Sequence, residues 1–397
     1  MDVNLPLTLL GGISPAVFMR RYWQKKPLLV RRAVPGMQAL LTRAQLFALA
    51  GREDVESRLV TLQKRGRQDN WGLRRGPFSR RDLPTLKPAK GDFWTLLVQG
   101  VDLHDDTAHQ LMQQFRFVPD ARLDDLMISY AVEGGGVGPH FDSYDVFLLQ
   151  AHGKRHWKIG SQQDLKLKAG VPLKILSNFR PEQEFVLEPG DMLYLPPQYA
   201  HDGVAVEGEC MTYSIGFRSP KAGGLAQELL QRLAEDAAES MDPAFADLLY
   251  RDPKQPAVDA PASLPSPLLR YARQAVEQAL RDPQVVARVL GEVLSEPKPQ
   301  VWFEPSSQHA NGALVPMSAS GIVLDRRTRM LYDEAHVYVN GESYLASDDD
   351  GGQDRVLLRR LADERRLDAK EVRALSRAAR ELLADWRDAG WLHGAAA

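Results

Sequence analysis

Two short stretches constrain the fold of this 397-residue chain: Gly138-Pro139-His140-Phe141-Asp142 and, about sixty residues later, Tyr199-Ala200-His201. In an extended strand side chains alternate faces, so His140 and Asp142 point to the same side. A third ligand from a distant strand can join them only if the chain folds into a β structure that brings both strands together. Two histidines and one carboxylate then take one face of an octahedron and leave the opposite face open. That arrangement suits non-haem Fe(II) oxygenases. The candidate metal ligands, also the candidate catalytic residues, are therefore His140, Asp142 and His201.

The surroundings support a β fold. Leu126-Met127-Ile128-Ser129-Tyr130-Ala131-Val132 is apolar and β-prone, and the loop after it, Glu133-Gly134-Gly135-Gly136-Val137-Gly138-Pro139, is rich in glycine. Glycine allows positive φ and close backbone approach, so this loop is expected to deliver His140 to a cavity mouth. Tyr144 to Gln150 reads as a buried strand. A hairpin turn at Ala151-His152-Gly153 is expected to lead into a second strand, Lys154-Arg155-His156-Trp157-Lys158-Ile159. On that strand Arg155 and Trp157 share one face, and Lys154, His156 and Lys158 the other. An inward arginine needs a carboxylate partner, which a dicarboxylate co-substrate would supply bidentately; a solvated strand arginine is the alternative. Glu188-Pro189-Gly190-Asp191 is a turn, Met192-Leu193-Tyr194-Leu195 a strand broken by Pro196-Pro197, and His201 lies just beyond. Met211 to Phe217 closes the region, with Thr212 and Ser214 as a polar face. Asp145 stands an odd step from Asp142 and should face away from the metal. His152 and His156 are expected in surface or strand roles.

Residues 126–217 resemble the JmjC-type 2-oxoglutarate oxygenases, and more narrowly the bacterial ribosomal oxygenases that hydroxylate an arginine of a large-subunit ribosomal protein. The resemblance rests on Met127-Ile128-Ser129, Gly134 through His140, Asp142, Tyr144-Asp145-Val146-Phe147, Gly153-Lys154-Arg155, Trp157, Glu188-Pro189-Gly190-Asp191, Pro196-Pro197, His201 and Tyr213 through Arg218. Tyr22-Trp23-Gln24-Lys25-Lys26-Pro27-Leu28 resembles the opening segment of that family. The resemblance implies an Fe(II) site at His140, Asp142 and His201, with dioxygen and 2-oxoglutarate as co-substrates. It implies that Arg155 anchors 2-oxoglutarate and that Ser129 is a hydroxyl partner. Many JmjC relatives use lysine as the anchor; arginine suits the ribosomal subfamily. The implied reaction is 3-hydroxylation of an arginine. Tyr144 and Glu133 are the aromatic and acidic groups near the mouth that could meet it. Two rivals stand beside this reading: the same chemistry on a histidine or another protein side chain, and a cupin-type ligand-sensing regulator.

The expected fold is α+β. Residues 1–219 form the catalytic domain, an N-terminal cover plus a double-stranded β-helix (jelly-roll or cupin) core at 126–217. Residues 220–298 form a helical region, read as a dimerisation segment that makes a homodimer. Residues 299–397 form a winged-helix-like domain. In the cover, Ser14-Pro15 is expected to cap a helix over 16–25, Thr42 a helix over 41–50, and a further helix lies at 107–117. Beyond 220 the leucine spacing is helical, residues 252–266 read as an exposed linker, and 268–294 is again helical. In the tail Asn340-Gly341 signals a hairpin, and helices are expected at 354–364 and 369–389.

Cys210 is the only cysteine, which excludes an intrachain disulfide and a multi-cysteine metal site and fits a reducing, cytoplasmic setting. The first residues lack a cationic stretch before a long apolar run, so no secretion signal is expected. No apolar run approaches the roughly 18 residues of a membrane span. Charge is uneven: residues 1–100 carry 18 Lys and Arg against 7 Asp and Glu, although the whole chain has a net charge of −2. The clusters include Arg31-Arg32, Lys64-Arg65, Arg67, Arg74-Arg75 and Arg80-Arg81, with Trp71 and Phe78 among them. Contact with ribosomal RNA through this basic half and a merely solvated surface are both open readings. Asp348-Asp349-Asp350 and the mixed charges of the last helix argue against specific DNA binding.

Overall fold

The computed structural model describes residues 2–66, 68–236, 241–304, 317–345 and 352–395. Arg67, of the basic clusters, and the acidic run at 348–350 lie outside these. The chain forms two compact units, residues 1–219 and 220–397.

In the first unit three helices, α1 (Pro15–Arg21), α2 (Arg43–Leu49) and α3 (Asp106–Gln113), flank nine strands. Ser14 Oγ accepts from Val17 N, and Thr42 forms a reciprocal capping box with Gln45, so both helix starts lie where the capping residues predict them. The strands are β1 (Leu28–Val30), β2 (Ser57–Arg65), β3 (Gln68–Arg75), β4 (Asp92–Val98), β5 (Leu123–Ala131), β6 (Val146–Gly160), β7 (Gln183–Leu187), β8 (Met192–Leu195) and β9 (Ala200–Phe217). Hydrogen bonds link them in the order β1-β8-β6-β9-β5-β4-β2-β3, with β7 beside β6. The N-terminal part is therefore more than a cover, since four of its strands extend the sheet that carries the site.

The hairpin expected at residues 151–153 is absent. β6 runs through as one strand of 15 residues. Its first half pairs with β8 and its second with β7, while β9 pairs with both. Gly153 is left-handed (φ +61), and the register against β9 shifts between Gln150 and Lys154. Glycine here makes a bulge that bends the strand, where a hairpin would have reversed it. A shared partner on both sides of the bend keeps the strand continuous.

One face of this sheet packs on the N-terminal segment. Phe18, wholly buried, meets Phe147 and Tyr194 at ring-centroid distances of 5.4 and 4.9 Å. Trp23 stacks on Tyr194 and lies edge-on to Phe217. A separate apolar cluster, including Val146, Leu148, Trp157, Ile159 and Leu193, fills the other side. Alternation along β6 thus divides its residues between two cores.

In the second unit, α4 (Ala222–Asp236), α5 (Pro243–Ala246), α6 (Ser266–Ala279) and α7 (Pro283–Ser295) precede α8 (Met317–Ser320). The helix expected over 268–294 is two helices, because Asp282 caps a new start with Pro283 in its first turn. Next come β10 (Ile322–Leu324), β11 (Met330–Tyr332), β12 (His336–Val339), β13 (Glu342–Leu345), α9 (Gln353–Glu364), β14 (Arg366–Leu367), α10 (Ala369–Ala374), α11 (Arg377–Asp388) and β15 (Leu392–Gly394). β12 and β13 form the hairpin that Asn340-Gly341 predicts, with both residues at positive φ. The helix expected over 369–389 breaks where Ser376 caps α11. α7 is bonded into this hairpin: Gly341 N donates to Ser295 Oγ at 3.1 Å and Ser343 Oγ to Glu292 Oε1 at 2.6 Å.

Candidate metal centre

The glycine-rich loop is zipped onto the start of β9. Gly134 N donates to Ala205 O and Ala205 N to Gly135 O, both at 2.9 Å. Further along, His140 N donates to His201 O at 2.9 Å and His201 N to His140 O at 2.8 Å. The approach is close enough to need glycine at 136, where a Cβ would lie 2.5 Å from Gly203 O. Gly138 is left-handed (φ +79), and a Cβ there would press on Trp71 and Ile175. Asp142 is held from behind, its carbonyl accepting from Gln198 N at 2.7 Å in the turn after Pro196-Pro197.

These main-chain bonds bring the three side chains together. Ligand atoms of His140, Asp142 and His201 all lie within 4.8 Å of one another, and among the described residues no other such group occurs. His201 Nε2 is 3.6 Å from Asp142 Oδ2, and the two imidazole centroids are 4.2 Å apart. Each Nδ1 is 2.9 Å from a main-chain carbonyl, His140 from Gly138 O and His201 from Tyr199 O. As donors to those carbonyls, both rings carry the proton on Nδ1 and leave Nε2 free as a ligand. Burial, first, and then the His140 ring beside it lower the His201 pKa to about 4, although Asp142 opposes this. His201 is therefore neutral at pH 7 and able to coordinate. The donor set of two imidazole nitrogens and one carboxylate fits Fe(II) or a similar divalent ion.

Arg155 lies on the same long strand as His201's neighbour Trp157. It is 4% exposed. Its guanidinium sits 5.8 Å from the Trp157 ring centroid, and Trp157 lies 5.8 Å from the His201 ring. Among the described residues no carboxylate pairs with Arg155; Nε and Nη2 each donate to Cys210 Sγ at 3.4 Å. Such a buried cation calls for an anionic guest. Ser129 is also 4% exposed and lies opposite Thr212 across β5 and β9. Thr212 Oγ1 donates to Gln150 Oε1 at 2.8 Å. Two residues past Ser129, Ala131 packs with Ala205 and Cys210, so Ser129 faces the same interior as Arg155.

The outer face of β6 behaves as alternation predicts. Lys154 pairs with Glu188 and Glu207, and His156 with Glu184. Asp145 points away from the metal ligands into a buried network. It accepts from Tyr194 Oη at 2.6 Å and Gln24 Nε2 at 3.0 Å, and Arg122 lies at 3.4 Å. Tyr144 remains 38% exposed, yet its phenol is pushed up, first by loss of water around the hydroxyl, then by Asp142 and Asp125. Glu133 is exposed at the start of the loop. Sequence reasoning did not find Cys210 beside Arg155, since 55 residues separate them and nothing in the spacing links them.

A JmjC domain model matches residues 110–225, and a ROXA-like winged helix model matches residues 278–393. The chain is 33% identical over 335 residues to the ribosomal protein uL16 3-hydroxylase of Escherichia coli, covering 82% of this chain and 84% of that protein. It is 39% identical over 216 residues to a probable ribosomal oxygenase of Haemophilus influenzae, covering 54% and 52%. The X-ray structure of E. coli YcfD superposes with a TM-score of 0.79 at 29% identity, covering 95% of this chain and 97% of that one. A structure of YcfD, a ribosomal oxygenase, with cobalt and 2-oxoglutarate superposes with a TM-score of 0.75, also at 29% identity and with the same coverage. The fold is of the JmjC and cupin type, with a winged helix in the C-terminal part. By extent and identity of match, the chain belongs to the JmjC-type ribosomal oxygenases.

Proposed function

We propose that the chain is an Fe(II)- and 2-oxoglutarate-dependent hydroxylase acting at the 3-position of an arginine in a large-subunit ribosomal protein. The observation that carries this reading is the pairing of a two-histidine, one-carboxylate cluster with a buried arginine that has no carboxylate partner among the described residues. The E. coli relative named as a uL16 3-hydroxylase and the YcfD structure with cobalt and 2-oxoglutarate support the substrate class and co-substrate. Bound Fe(II) with 2-oxoglutarate supplies the oxidising chemistry that places an oxygen atom of dioxygen on an unactivated carbon. The chain binds and orients. His140, Asp142 and His201 would hold the metal. Arg155 would take the distal carboxylate of 2-oxoglutarate through paired N–H donors, with the Ser129 hydroxyl beside it. Trp157, 5.8 Å from the His201 ring and part of the apolar cluster on that side, would help exclude water. Tyr144 and Glu133, both exposed beside the glycine-rich loop, are the proposed contacts for the substrate arginine.

In this reading residues 1–219 are catalytic, 220–298 a dimerisation region and 299–397 a winged-helix-like domain for protein contact. A second copy of the chain is the proposed occupant of the 220–298 surface. α6 has no buried residue, and Leu269 and Val276 on it are 48% and 59% exposed. Contact with ribosomal RNA is proposed through the basic N-terminal half. Arg20, Arg21, Lys25, Lys26, Arg32, Lys64, Arg75, Arg80 and Arg81 are exposed there, and Arg31, Arg43, Arg52, Arg65 and Arg74 are in ion pairs at the surface. No helix among the described residues is long and apolar enough to cross a membrane, and the cytoplasm, where ribosomes assemble, is the proposed location.

The test is anaerobic loading with Fe(II) and 2-oxoglutarate, then air and ribosomal proteins, with His140→Ala as control. A gain of about 16 Da (one oxygen atom) on one arginine of one large-subunit protein, absent in the control, is expected. The same gain on a histidine would move the substrate and keep the chemistry. A wild-type chain that neither binds nor turns over 2-oxoglutarate would leave the sensor reading.

A further inference from the structure

We propose that Cys210 is a positioning residue for the 2-oxoglutarate anchor: its sulfur occupies one edge of the Arg155 guanidinium and thereby turns the remaining N–H donors toward the co-substrate. The inference rests on the reading of Arg155 given above and adds a residue to it.

A guanidinium has five N–H donors arranged in a rigid fork. In a buried site its orientation is set by whatever accepts from it. The Cys210 thiol is wholly buried and accepts from both Nε and Nη2 at 3.4 Å. That fills the side-on edge. The Trp157 ring lies 5.8 Å from the guanidinium. The donors left over are the two on Nη1 and the second N–H of Nη2, and one from each nitrogen forms the end-on edge. A carboxylate held by Arg155 must therefore bind end-on. Sulfur is a weak acceptor, so it orients the cation without neutralising it, and the demand for an anion remains. A carboxylate at position 210 would satisfy the cation and remove that demand.

The backbone around Cys210 is shaped to this contact. β9 and β6 lose simple register here: His152 pairs with Met211, but Lys154 pairs with Val206. The four residues 207–210 make an excursion, with Glu207 and Gly208 both at positive φ. Gly153 makes room for its return, since a Cβ there would lie 2.2 Å from Glu209 O and 3.0 Å from Cys210 Cβ. The excursion brings Cys210 opposite Ala131 on β5. There the thiol packs with Ala131 and Ala205, the latter being the cross-strand partner of Arg155. Two small side chains and a thiol thus form the floor under a large cation.

The test uses the full chain and its variants Cys210→Ala and Cys210→Ser, with Arg155→Ala as reference. Three quantities are measured: KM for 2-oxoglutarate, kcat at saturating 2-oxoglutarate, and Mn(II) affinity by electron paramagnetic resonance. Cys210→Ala is expected to raise KM roughly 5- to 20-fold, with kcat and Mn(II) affinity within about twofold of wild type. Cys210→Ser keeps an acceptor and is expected within about threefold of wild type. If Cys210→Ala does not fold, Cys210→Val, which fills the space without an acceptor, carries the same comparison. An unchanged KM in the non-accepting variant would overturn the proposal. So would an equal loss of KM, kcat and Mn(II) affinity, which marks general damage. Failure of the functional reading looks different: wild type and Arg155→Ala would then be alike in showing no use of 2-oxoglutarate.

Discussion

His140 and His201 exchange two main-chain hydrogen bonds, at 2.9 and 2.8 Å, and their rings lie 4.2 Å apart. Two candidate ligands 61 residues apart in the chain are thus fixed by one isolated bridge, with each ring further oriented by a carbonyl two residues before it. Main-chain bonds alone bring the two rings together. His201→Ala should keep the fold and lower turnover at least about 100-fold, since a two-ligand site is left. Calorimetric titration with Mn(II), alongside a circular dichroism spectrum, separates loss of the ligand from loss of the structure.

Arg155 carries a charge that is 4% exposed and lacks an acidic partner among the described residues. On the proposed reading this charge serves 2-oxoglutarate binding, and an unpaired buried charge costs stability. Arg155→Met should therefore leave the thermal midpoint of the metal-free protein unchanged or raised. It should weaken 2-oxoglutarate by about 2–3 kcal/mol, the worth of charge-assisted hydrogen bonds. Arg155→Lys keeps the charge but loses the fork and should fall in between. A lowered midpoint with unaltered 2-oxoglutarate affinity would make Arg155 a structural residue.

The pH dependence of the metal-free protein has a definite sign. His201 has its pKa lowered to about 4 in the folded chain, by burial first and by His140 second. An unfolded histidine titrates near 6.5. Between about pH 6.5 and 4 the unfolded chain holds the extra proton, so stability is complete above that window and falls as the pH drops through it. The loss from this one group is roughly 3 kcal/mol by pH 4. Urea unfolding at pH 7 and pH 5 should show the fall, and His201→Gln should remove most of it.

The site was legible in the sequence where local signals decide it. His140 and Asp142 fall together as their two-residue spacing predicts, although only His140 is in a β-bridge; Asp145 turns away beyond a bend at Ser143-Tyr144, where strand alternation does not apply; and Ser14 and Thr42 cap helices through bonds to their own neighbours. What could not be read depends on partners distant in the chain. Ala151-His152-Gly153 has the composition of a hairpin turn, yet β9 pairs with both flanks and keeps β6 continuous through the bend. The four N-terminal strands join the sheet because β4 pairs with β5 and carries β2 and β3 with it, while β1 pairs with β8 at the other edge, which no local pattern reveals. The contact of Cys210 with Arg155 depends on an excursion at residues 207–210 and is equally non-local.

Asp145 shows how the N-terminal segment is tied to the back of the site. It is wholly buried and accepts from Tyr194 on β8 and from Gln24 just ahead of β1, with Arg122 near the start of β5 alongside. Gln24 itself has φ +56, and its N–H donates to Tyr194 Oη at 2.8 Å. Removing the carboxylate leaves the Tyr194 hydroxyl without its acceptor and Arg122 without its ion partner. Asp145→Ala should therefore cost about 2–4 kcal/mol of stability, and Asp145→Asn less, because the amide oxygen still accepts from Tyr194. Mn(II) affinity should change little in either variant, since Asp145 points away from the three ligands. Denaturant unfolding and Mn(II) titration of the same samples decide the matter. If Asp145→Ala abolished Mn(II) binding while its unfolding midpoint stayed at the wild-type value, Asp145 would belong to the metal site and its assignment to the network behind it would be wrong.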